Sequence, residues 1–162
     1  MQQFERPGLF RRLAAMLYDT FLVLPMIMAV IAVATAIGVA ITGDPGNQDY
    51  SATLPPWLVR MLVALCIVGF YGYFWRQKGQ TLGMQAWRIR LRGFGSDEAA
   101  PISGRQVLLR CLGAIVSLAP AGAGYLWCLV DRNKRSWHDH ISKTELELLP
   151  KPVKNRNSEK AA

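Results

Sequence analysis

The chain has 162 residues, 51% of them hydrophobic, yet carries a formal net charge of +8 with only 19% charged residues. That length allows about one domain and excludes a large multidomain enzyme. A positive mean hydropathy beside a high positive charge is unusual for a soluble basic protein, so the question is where each kind of residue lies.

The apolar residues are concentrated in runs. From Thr20 to Gly43 there are 24 residues without a charge. At about 1.5 Å per helical residue, roughly 20 residues span a bilayer core. The helix is expected to begin near Leu13, which places Asp19 within the membrane or at its edge. A cleaved signal peptide fits this run poorly, because the run is too long and no clean cleavage site follows. The second run, Pro56 to Trp75, contains Arg60 and has aromatics at both ends, as an interfacial belt would. Cys111 to Val130 is a third, again uncharged, but Ala119 to Gly124 reads APAGAG. Proline lacks a backbone donor and glycine favours a turn, so this run is expected to break at its centre.

Charge supplies an orientation. The segment before the first run carries +2 and residues 44 to 55 carry −2. Residues 76 to 105 carry +4, and those from Asp131 onward carry +3. The positive-inside rule then puts the N-terminus in the cytoplasm, residues 44 to 55 outside and residues 76 to 105 inside. A single crossing by the third run would put the basic C-terminal region outside. A re-entrant hairpin of two half-length helices is preferred, with the C-terminus cytoplasmic; third and fourth short spans are the variant of that reading. Such a hairpin needs protein cover for its backbone.

Two short segments alternate with period two, a strand pattern. Residues 87 to 92 read WRIRLR and residues 144 to 148 read TELEL. A cytoplasmic ribbon is expected, with Arg88, Arg90 and Arg92 facing Glu145 and Glu147 and the apolar sides lying on the membrane or the hairpin. Between them, residues 93 to 104 hold turn residues and a small acidic patch. Residues 1 to 149 are expected to form one membrane domain, all-α apart from this ribbon. The tail from 150 to 162 has little apolar content and is expected to be disordered, with its basic residues on anionic lipid.

Charges inside apolar segments usually face the bundle interior and find partners. Arg12 and Asp19 are about two turns apart and share a helix face. Arg110 is the expected partner for Asp19, whereas Arg60 is expected to snorkel at the other surface. Two roles are open for this charge cluster: fixing helix packing, or binding and relaying a cation at Asp19. His138, Asp139 and His140 do not complete a metal site by themselves. Cys66, Cys111 and Cys128 lack metal or redox spacing and are expected to be free thiols. No nucleophile–base set or phosphate loop is present, so neither an enzyme, a metal nor a cofactor is expected. The basic charge is accounted for by topology, without nucleic acid.

RRLAAMLYD (Arg11–Asp19) resembles the opening motif of the RDD family of bacterial membrane proteins, named for an Arg and two Asp residues. GQTLGMQAWRIRL (Gly79–Leu91) is similar to its middle motif, with Gly79, Thr81 and Gly83. WHDHISKTELEL (Trp137–Leu148) resembles its closing motif, with His138, Asp139 as the second Asp, and Thr144. Lys143 departs from the pattern, since a glycine is common there. The resemblance implies a multi-spanning protein of the bacterial inner membrane, with cation/proton antiport suggested for some members. Transport would require a homo-oligomer or a membrane-protein partner, because two spans and a hairpin are too few for a pore. Asp19 would then be the coupling carboxylate, with Arg12 and Asp139 shaping the entrance. The alternative is a non-catalytic scaffold or assembly factor, with Arg12, Asp19 and Asp139 as a structural clamp.

Overall fold

The computed structural model describes residues 5–43, 54–95 and 100–151. The expected outer loop at 44–53, the acidic patch at 97–98 and the tail from 152 onward lie outside the described residues.

Helix α1 runs from Leu9 to Thr42, four residues earlier at its start than the apolar run predicts. Its 34 residues make it roughly 50 Å long at about 1.5 Å per residue. It ends at Gly43, whose left-handed backbone lets its N–H bond the Val39 carbonyl at 2.9 Å. Helix α2, Pro56–Lys78, begins with a proline that needs no hydrogen-bond partner there and stops at Gly79. In their most apolar stretches α1 and α2 bury only 11% and 6% of their residues. Phe21, Met28, Ile41, Trp57 and Leu65 point outward. Such surfaces are stable only in an apolar surrounding, so both helices are candidates to cross a membrane.

Past α2 the chain turns at once into α3, Leu82–Ala86, and then β1, Ile89–Gly93. Helix α4, Gly104–Leu118, starts at a capping box in which Ser103 and Gln106 satisfy each other's backbone. The expected break follows at 119–122, where Ala121 and Gly122 have left-handed backbones. The chain bends by 108° and continues as α5, Ala123–Leu126, with a 3-10 turn at Trp127–Leu129. The second arm is thus much shorter than the half-length helix expected. Gly124 permits the fold-back: a Cβ there would lie 2.5 Å from the Ser117 Cα. Helix α6, Trp137–Ser142, leads into β2, Thr144–Leu148.

The ribbon forms as expected. Strands β1 and β2 are antiparallel, with Arg90 opposite Glu147 and Arg92 opposite Glu145. Arg92 ion-pairs with both glutamates at 3.7 Å. Arg88 is a correction: it precedes the strand with a φ of 57°, and its carbonyl accepts from Leu149 N–H. The ribbon's apolar face also has a more definite seat than the membrane. Ile89, Leu91 and Leu146 pack in a core with Trp75 of α2, Met84 of α3 and Val107 of α4. Outer edges are covered as well: Gly79 and Gln80 bond β1, and Glu5 accepts from Leu148 N–H. Because β1 and β2 pair, the chain leaves the ribbon through α4 and returns to it through α6. The segments before α1, after α2 and after α5 therefore meet at one end of the molecule.

Candidate functional site

At that end three buried charges form one knot. Asp139 is fully buried, and its position follows from local sequence. Ser136 and Asp139 are the N-cap and third residue of α6, a Ser-x-x-Asp capping box, so one carboxylate oxygen accepts from Ser136 N–H at 2.9 Å. The same oxygen accepts from Arg12 Nη1 at 2.9 Å, and the other from Arg110 Nη1 at 2.6 Å. Arg110 Nη1 also donates to the Thr144 hydroxyl at 2.6 Å, which lies 2.7 Å from the Ser142 hydroxyl. Arg12 donates further to the carbonyls of Pro7 and Lys134 and to the Ser136 hydroxyl. Every nitrogen of its guanidinium is thereby used.

The electrostatics agree with the geometry. Burial pushes the Asp139 carboxyl up, but Arg110, His138, Arg12 and the Ser136 N–H outweigh it and hold it well below the usual carboxylate range. His138 is pushed down to about 3, chiefly by burial and then by Arg110 and Arg12, against the pull of Asp139. Its imidazole is therefore neutral at physiological pH. Two guanidinium charges against one carboxylate leave the knot with an excess positive charge.

Asp19 lies elsewhere, which corrects its expected pairing with Arg110. Its two oxygens accept from the Thr81 hydroxyl at 2.6 Å and from Gly83 N–H at 2.9 Å. Thr81 is the N-cap of α3 and accepts from Met84 N–H, so Asp19 ties α1 to the start of α3. Gly83 is required by closeness. A Cβ there would stand 2.2 Å from the Ala15 carbonyl oxygen and 2.8 Å from an Asp19 oxygen. The shared helix face of Arg12 and Asp19 is real in that both are buried, but each serves a different neighbour.

His138 and His140 do not present themselves together, because the segment is helical and not extended. His138 is buried at 3.7 Å from Asp139, while His140 is exposed at 4.0 Å from Asp131. Among the described residues no three His, Cys, Asp or Glu side chains gather in a group that would hold a metal ion. Cys66, Cys111 and Cys128 are free. Lys143 has a left-handed backbone with a φ of 51°, which explains why a glycine suits that position.

Between α1, α2 and α4 lies a cavity of about 380 Å³. Its polar lining comes from Arg12, Asp19, Tyr71, Arg110, Tyr125, Ser136 and His138. Trp75 joins two of these, with its ring 5.0 Å from that of Tyr71 and 5.4 Å from the Arg110 guanidinium. Sequence reading did not single out Ser136, Tyr71 or Tyr125. The Ser-x-x-Asp spacing is a visible signal for Ser136; nothing local marks the tyrosines.

Two long outward-apolar helices, a broken helix and a polar knot at one end define a helical membrane protein. The chain belongs to the RDD family, whose model matches residues 6–143. That span holds Arg12, Asp19, Gly79, Thr81, Gly83, Arg110, His138 and Asp139, and stops one residue before Thr144. Comparison with curated proteins and with solved structures gives no significant match.

Proposed function

We propose that this chain is a non-catalytic scaffold or assembly protein of the bacterial inner membrane. It works as a homo-oligomer or with a membrane-protein partner, and the Arg12–Asp139–Arg110 knot and the Asp19 tie are its structural centre. One observation carries this reading: all three guanidinium nitrogens of Arg12 and both oxygens of Asp139 and of Asp19 are bonded within the fold. Charges so fully engaged hold helices together, and moving an ion through them would require breaking those bonds. The positive excess of the N-terminal, middle and C-terminal segments supports a cytoplasmic setting for the end where they meet.

The test is the assembly state of the full-length protein in a mild detergent, read by native mass together with folded yield. The expected result is a defined oligomer or a stoichiometric partner, and Asp19→Asn reduces folded protein and assembly together. Cation or proton flux in proteoliposomes that Asp19→Asn abolishes, with assembly intact, would overturn the reading in favour of transport. Transport is the second reading. It is favoured by Asp19 lining the cavity with no ion pair among the described residues.

A further inference from the structure

We propose that the cavity between α1, α2 and α4 binds a single-chain amphiphile with a carboxylate head, held by the free edge of Arg110. The two arginines of the knot differ. Arg12 uses all its nitrogens, whereas Arg110 uses only Nη1, for Asp139 and Thr144. Its Nε and Nη2 make no hydrogen bond among the described residues and retain accessible surface, although the side chain is 93% buried. Arg110 lines the cavity, so that surface is presented to it. A guanidinium edge with two parallel donors matches a carboxylate in bidentate geometry.

Two further donors belong to the same wall. Tyr71 and Tyr125 line the cavity, and their hydroxyls are without hydrogen bonds among the described residues and are not sealed off. Trp75 spaces Tyr71 from Arg110, and the Tyr125 ring stacks 4.8 Å from His138, beside Asp139. The charge is complementary too. Asp139 neutralises one of two guanidinium groups, and His138 is neutral. Asp19, the other acid on the wall, has its oxygens turned to Thr81 and Gly83. An anion is therefore the favoured head group.

The rest of the lining selects the tail. Leu13, Met16, Val68 and Ile115 make most of the wall apolar, so a small hydrophilic anion would leave it uncovered. The volume is near the low end of the roughly 300–1,000 Å³ of ligand sites, which suits one chain rather than a two-chain phospholipid. The main walls, α1, α2 and α4, belong to helices with apolar outer faces, so the bilayer is the side from which a chain would enter.

The probe is a long-chain fatty acid carrying a terminal photoreactive diazirine, added to the purified full-length protein in detergent. Crosslinks are mapped by mass spectrometry. Saturable labelling of cavity residues on α1, α2 and α4 is expected. Unlabelled fatty acid should compete at about tenfold lower concentration than the alcohol of equal chain length, which lacks the charge-assisted pair. Arg110→Lys keeps the charge beside Asp139 but loses the fork, and should weaken labelling about tenfold. Ala114→Phe fills the cavity one turn from Arg110 without touching the knot, and should abolish labelling with unchanged thermal melting. Equal competition by acid and alcohol, persistent labelling in Ala114→Phe, or stronger competition by a two-chain phosphatidate would overturn the proposal. The readout needs neither ion flux nor a partner, so its failure is separable from failure of the scaffold reading.

Discussion

Replacing Asp139 with asparagine tests the knot most directly. The carboxylate receives three donors on two oxygens: Arg110 on one, and Arg12 and Ser136 N–H on the other. An asparagine offers one oxygen and one NH2. With its oxygen toward Arg110, the NH2 confronts Arg12 and Ser136 N–H; turned round, it confronts Arg110. Either way a donor group meets a donor, and two largely buried guanidinium groups lose their counter-charge. Breaking a buried ion pair by removing one partner costs about 3–5 kcal/mol. Set against a total stability of roughly 5–15 kcal/mol, that leaves a marginal protein. The assay is unfolding of wild type and variant in mixed micelles at neutral pH, followed by tryptophan fluorescence, since Trp75 lies over Arg110. Arg110→Met and the double variant complete a cycle. The effects should be non-additive by about 0.5–3 kcal/mol, because removing Arg110 relieves the unbalanced charge. A loss below about 1 kcal/mol for Asp139→Asn, or additive effects, would refute the view that this knot holds the fold.

Four further outcomes are expected. His138 is neutral in the fold down to about pH 3 but titrates near the ordinary histidine value of about 6.5 when unfolded, so the unfolded state binds the extra proton between those values. Stability should therefore fall as pH drops from about 6.5, and His138→Phe should flatten that slope in the same unfolding assay. Gly83→Ala drives a Cβ into the Ala15 carbonyl and the Asp19 carboxylate, and should destabilise by about 1–3 kcal/mol or more, measured as a lower melting midpoint. Lys143→Gly relieves a left-handed backbone and should raise the midpoint, by an amount corresponding to about 1 kcal/mol. A topology reporter fused after Asp131 should read as cytoplasmic, as a re-entrant α4–α5 requires; an extracytoplasmic reading would make that segment a crossing.

Much of the architecture was legible because it rests on periodicities. Uninterrupted apolar runs reveal α1 and α2, alternation reveals both strands, and Pro120 with the glycines that follow it locates the bend. The partners of the buried charges were not legible. Asp19 is satisfied by a hydroxyl and a backbone N–H more than sixty residues away, and neutral donors leave no charge signal to match. With Arg110 the nearest candidate cation by depth, charge pairing alone sent it to the wrong acid. The separation of His138 from His140 was illegible for another reason: six residues are too few to show a helical period, although the Ser-x-x-Asp cap at Ser136 marks the helix start. Arg88 shows the limit of alternation, since a left-handed residue at the strand entrance leaves the pattern intact.

The sequence distances in the knot have a consequence for biosynthesis. Arg12 and Asp139 are 127 positions apart, and between them lies nearly all of the family domain. A ribosome delivers Arg12 first, so α1 is complete while α2, the ribbon strand and α4 are still to be made. The counter-charge arrives only after α1, α2 and α4, on the six-residue helix α6. Until it does, two arginines stand unneutralised at the foot of the helices. The knot thus closes late: a chain stopped before residue 139 would lack the counter-charge that Arg12 and Arg110 share in the finished fold.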